Sequence, residues 1–192
     1  MRNLYTLHAN PKSLDKFHDL HTPDRPQFSW DYGNATGEWD DKMFCKYASH
    51  AVQYARVIKK GRYELGEPAI AKDSEASAEY AISVLKGRFE LGEPAIAKDP
   101  WDSVFYAEDA LKGPFKLGEP AIASVSEASL SYAKQVLKAR FKLGEPKIAK
   151  NAKVALDYAI SFNFRFEEAE PIIAKDYVLA RKYDKHFGTN LV

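Results

Sequence analysis

Residues 80–105 read YAISVLKGRFELGEPAIAKDPWDSVF, and this stretch decides the fold. Close copies of it start at Tyr54, Tyr106 and Tyr132, each 26 residues from the next, and a copy one residue shorter starts at Tyr158. A fixed period of this size is the signature of a repeat array. Within a copy the periodicity is helical: Ala76, Tyr80, Ala81, Val84 and Leu85 make one broad apolar stripe. Asp73 and Asp99 stand where N-caps belong, and Pro100 suits a first helical position. The run Lys86-Gly87 places a cation at the negative helix end and a glycine where a left-handed residue closes it, so a helix is predicted over 74–86. On the same logic, Ala139 in place of the turn glycine is expected to cost on the order of 1 kcal/mol. The segment LGEPAIAK then starts a second helix of one or two turns, with Pro94 in its first turn and Glu93 complementing its positive end.

One long and one short helix cannot bury an apolar face alone, whereas stacked neighbours bury a continuous core. The predicted fold is therefore all-α: an α-solenoid of about five 26-residue two-helix repeats over residues 54–182. A non-repeating cap over 1–53 precedes it and a short cap over 183–192 follows. In the first of these, Asn10-Pro11 reads as a helix start, and Phe28, Trp30, Tyr32 and Trp39 lie in a Pro- and Gly-rich excursion. Those aromatics either cover the open end of the first repeat or anchor a partner. A helix is predicted from about residue 40 through Ile58, with Cys45 on it as a small buried hydrophobe.

Comparison among the copies separates frame from variation. All five keep the tyrosine and the alanine after it, an aromatic after the turn, and Glu-Pro followed by isoleucine and alanine. These read as core ladders and helix caps. Five equivalent glutamates do not make one specific acid–base pair. Function is expected where copies differ, just after the tyrosine: Arg56, Glu108, Asp109 and Lys134 change charge on an otherwise uniform frame. With Phe28, Trp30 and Trp39 they are the candidate protein-binding residues. A second candidate surface is a repeated cationic ridge, Lys60, Lys86, Arg88, Lys112, Lys138 and Arg140, suited to phosphates.

Charge is balanced, 28 basic against 27 acidic residues, which argues against a generic nucleic-acid or membrane binder. The single cysteine forms no internal disulfide, and no signal-like or membrane-spanning apolar run is present, so a cytoplasmic protein is expected. His18 and His21 are read as solvated surface histidines. No nucleotide-binding, zinc or nucleophile motif occurs, and neither an enzyme nor a cofactor is expected.

The unit YA..VLKGRF.LGEP.IAKD resembles a short helical repeat of uncharacterised proteins from bacteriophages and other large DNA viruses, over roughly residues 54–182. The resemblance implies an α-solenoid of viral origin and transfers no site residues. The expected function is a non-enzymatic protein-binding module, a phage-type accessory protein that engages or inhibits a host protein. The alternative is nucleic-acid binding along the Lys/Arg ridge.

Overall fold

The computed structural model describes residues 41–192 together with Gly33, Asn34, Gly37 and Trp39; Phe28, Trp30 and the helix start at Asn10 lie outside the described residues. Among the described residues every regular element is a helix. Long helices begin at Ala48, Ser74, Pro100, Ser126, Ala152 and Tyr177, and short helices at Glu67, Glu93, Glu119, Glu145 and Glu170 fall between them. Each interior long helix packs against the long helices before and after it and against the short helix that follows it.

The starts are those the sequence announces. The Asp73 side chain accepts from the Ala76 N–H at 2.8 Å, and Asp99 accepts from Trp101 and Asp102 at 2.8 and 2.9 Å. Asn151 and Asp176 cap the later long helices in the same way. Val125 holds the equivalent position before Ser126–Ser131, where no side chain caps the helix.

The ends differ from the sequence expectation. From the repeated tyrosine onward the hydrogen bonding widens, and Tyr80–Leu85, Tyr106–Leu111 and Tyr132–Leu137 are π-helical, as is Ala55–Lys59. A π turn accommodates one residue more than an α turn. The left-handed residue that closes each helix is the lysine, not the glycine: Lys60, Lys86, Lys112 and Lys138 have φ between 50° and 54°. Gly87 instead donates its N–H to the Ala81 carbonyl at 3.1 Å, six residues back, and Ala139 does the same toward Ala133 at 3.2 Å. Ala139 has no positive φ, so the penalty expected there does not arise.

The fifth copy shows where its missing residue went. Ala152–Ser161 stays α-helical to its end, Asn163 is left-handed at φ 48°, and Phe164 donates to Ala159 five residues back. The deletion thus removes the π turn between the tyrosine and the left-handed position and leaves the register on either side intact.

The core is a set of ladders. Tyr80, Tyr106, Tyr132, Tyr158, Ile70, Ile96, Ile122 and Ile148 are fully buried. Gly92, Gly118 and Gly144 let the loop lie against the long helix: a Cβ on Gly92 would fall 2.5 Å from the Phe89 ring and 2.7 Å from the Ser77 Cβ. The first long helix is not continuous. Asp41–Phe44 ends, the Cys45 thiol donates to the Lys42 carbonyl at 3.2 Å, and the helix resumes at Ala48 after an extended Tyr47. Cys45 is half-buried against the core. Trp39 packs on Phe44 and on Tyr54, the tyrosine that starts the first copy, with ring centroids 6.0 and 6.2 Å apart.

Candidate functional site

The repeated glutamates turn out to join one copy to the next. Tyr80 donates its hydroxyl proton to Glu67 at 3.1 Å and accepts the Tyr63 N–H at 2.7 Å, while Arg62 grips Glu67 with two hydrogen bonds of 2.8 and 3.0 Å. The same rung recurs as Tyr106–Glu93–Arg88, Tyr158–Glu145–Arg140 and Tyr183–Glu170–Arg165. In the third copy Pro114 removes the arginine, and Lys116 reaches Glu119 at 2.9 Å in its place. Burial first, and then the neighbouring Glu67, push the Tyr80 phenol up to about 12, against a lowering contribution from the Tyr63 N–H. These carboxylates are occupied by structure, which accounts for their presence in every copy.

The rungs also decide the fate of several candidates. Arg88 and Arg140, two members of the cationic ridge, are bound bidentately to Glu93 and Glu145. The four lysines of the ridge sit at the left-handed closures with exposed side chains, and Lys112 lies 3.8 Å from Asp109. Arg56 bonds Glu79 at 2.5 Å and Lys134 bonds Asp157 at 3.2 Å. Both pairs span the same step, from two residues past one tyrosine to one residue before the next. Two of the four charge-varying candidates therefore bridge neighbouring copies.

At the second-to-third step the same two positions are Ile82 and Phe105, and the surface there is different. A groove of about 320 Å³ is lined by Ile82, Ala78, Phe105, Glu75, Glu79, Asp102 and Asp109. Phe105 is 46% and Trp101 40% exposed, and their rings stack at 6.0 Å. Burial, with the like charges of Asp99, Glu75 and Asp73, raises the Asp102 carboxyl above its usual range. Arg56 already holds Glu79 and Lys112 lies near Asp109, but with Glu75 and Asp102 the carboxylates outnumber these cations, and an apolar floor with an acidic rim suits a cationic, amphipathic ligand.

Of the sequence candidates, Asp109 lines this groove and Glu108 is half-buried beside it on the same π turn. Sequence reading missed Trp101 and Phe105. The usable signal was that both stand where the other copies carry Glu75, Glu127 and Lys153, or Glu79, Ser131 and Asp157. Among the described residues no group of histidines, cysteines and carboxylates has the geometry to hold a metal ion, and no helix is long and apolar enough to cross a membrane. Comparison with protein-family models, curated proteins and solved structures finds no match.

Proposed function

We propose that the protein is an α-solenoid of five copies, four of 26 residues and a fifth one residue shorter, capped at its N-terminal end, that acts as a non-enzymatic protein-binding module. Its binding surface is the groove between the second and third long helices, and its ligand is a basic, amphipathic segment of a partner protein. For a phage-type accessory protein, that partner belongs to the host. The observation that carries the reading is the exposed Phe105, stacked on Trp101, in a groove lined by Glu75, Glu79, Asp102 and Asp109. Aromatic anchors provide binding area at low entropic cost, and the surrounding carboxylates select the sign of the ligand.

The test is a fluorescence titration of the whole protein with a Lys/Arg-rich amphipathic peptide and with an acidic peptide of the same apolar pattern. Binding of the basic peptide is expected to weaken at least about tenfold in Phe105→Ser and in Trp101→Glu, each a residue type already present at that position in another copy. Equal binding of both peptides, or full affinity in both variants, would overturn the assignment.

A further inference from the structure

The loops leading into the short helices carry an apolar ladder that the frame does not use. Leu65, Leu91, Leu117 and Leu143 occupy the same position in four successive copies and are 54–56% exposed. Single exposed leucines are ordinary, but a row in register marks an interaction edge. Packed helices lie about 8–10 Å apart, so a row that follows the long helices forms one stripe on the order of 30 Å long. The fifth copy ends the stripe by placing Glu168 where the others have leucine.

The residue before each leucine is charged, and the sign changes halfway: Glu64 and Glu90, then Lys116 and Lys142. A row with that order is complementary to itself when reversed. Under a two-fold axis between the second and third rungs, Leu65 meets Leu143 of the second copy and Leu91 meets Leu117. The same operation sets Glu64 against Lys142 and Glu90 against Lys116. A parallel arrangement would set like charge on like. A repeat-spaced ladder keeps its register at every rung when it is reversed, so the pairing does not depend on the exact rise per copy. The nearby Arg62, Arg88 and Arg140 are each held by their own short-helix glutamate, and Arg88 also lies 3.9 Å from the exposed Glu90. Lys116 and Lys142 contact the largely buried Glu119 and Glu145 but are themselves 78% and 71% exposed, so each ammonium keeps donors free for a second carboxylate.

We propose that this edge is the isologous interface of an antiparallel homodimer of the chain. It is separate from the acidic groove, so the two assignments stand or fall independently.

Sedimentation velocity of the full chain, from low to high micromolar concentration, reads the proposal directly. A concentration-dependent dimer is expected. Leu91→Glu, which copies the residue of the fifth repeat, weakens it at least about tenfold with helicity unchanged. Glu64→Lys and Lys142→Glu each weaken it, while the two changes in one chain, or the two single variants mixed, restore it. Arg140 still holds Glu145 in the Lys142 variant, so the rung survives. A monomer at every concentration, or a dimer indifferent to Leu91→Glu, overturns the interface. Failure of both the double variant and the mixture to restore association overturns the antiparallel pairing.

Discussion

A single phenol carries much of the connection between adjacent copies. Tyr106 donates to Glu93 at 3.0 Å and accepts the buried Phe89 N–H at 2.9 Å, so Tyr106→Phe strands the amide, while Glu93 keeps its two hydrogen bonds from Arg88. A loss of about 1–3 kcal/mol is expected, read as a lower urea midpoint with the slope unchanged. The same geometry fixes the response to alkali. Tyr80 and Tyr183 are pushed up to about 12, chiefly by burial, so folding favours the neutral phenol. Stability on this account is complete below the unfolded value of 10 and falls as pH rises from there through about 12. In acid the sign reverses. Burial tends to raise Glu145, but its hydrogen bonds to Arg140 and Tyr158 outweigh burial and hold it below the usual range; for Glu170 the Arg165 hydrogen bond is the main cause. Their contribution is present above the ordinary glutamate value and is lost as pH falls through the lowered ones. Urea midpoints at pH 5 and pH 3 check the direction.

The helix endings are the element whose length varies. Because Lys138, not Ala139, is left-handed, Lys138→Gly is expected to stabilise by about 1 kcal/mol, whereas Ala139→Gly gains nothing of that kind. Thermal unfolding of the two variants side by side separates the alternatives. The second and fifth copies both begin YAIS after the core helix and then diverge, into VLK with a π turn and FN without one. Replacing Val84-Leu85 by a single phenylalanine should therefore give the second copy an α-helical ending. The Tyr106 rung should persist, with stability within about 2 kcal/mol of the parent. Loss of cooperative unfolding would show that the π turn is required where it occurs. Gly92→Ala acts oppositely. Its Cβ would collide with the Phe89 ring and Ser77, at a cost of about 1–3 kcal/mol in the same assay.

Among the described residues, each long helix packs chiefly on its sequence neighbours among the long helices, and the repeated rungs fasten one copy to the next. On the solenoid reading, stability is a sum of copy and interface contributions, and interior copies have two neighbours where the last helix has one. Amide exchange is therefore expected to be slowest in the second to fourth copies and fastest in Tyr177–Phe187, with fraying spreading inward from the end. Uniform protection along the chain would count against this organisation. Mass-resolved exchange of the intact protein makes the measurement.

The 26-residue period, the caps at Asp73 and Asp99 and the alternation of long and short helices were all legible in the sequence, because they are local: spacing and side-chain chemistry fix them within one copy. The sequence also singled out Arg56, Glu108, Asp109 and Lys134 as the places where copies differ. That Arg56 and Lys134 face a neighbouring copy was decided by stacking, since Arg56 and Glu79 are 23 residues apart and meet only when adjacent long helices align. The purpose of the glutamates followed the same rule. Read alone, Glu93 complements a helix end; in the fold it is the acceptor for a tyrosine 13 residues further on. The left-handed residue is the lysine rather than the glycine because the helix ends in a π turn, whose wider hydrogen bonding is closed by the glycine N–H six residues after its acceptor. The exposed leucine edge belongs to the same class. In sequence the leucine before Gly-Glu-Pro carries no mark of core or surface, and only the tertiary arrangement leaves Leu65, Leu91, Leu117 and Leu143 facing outward.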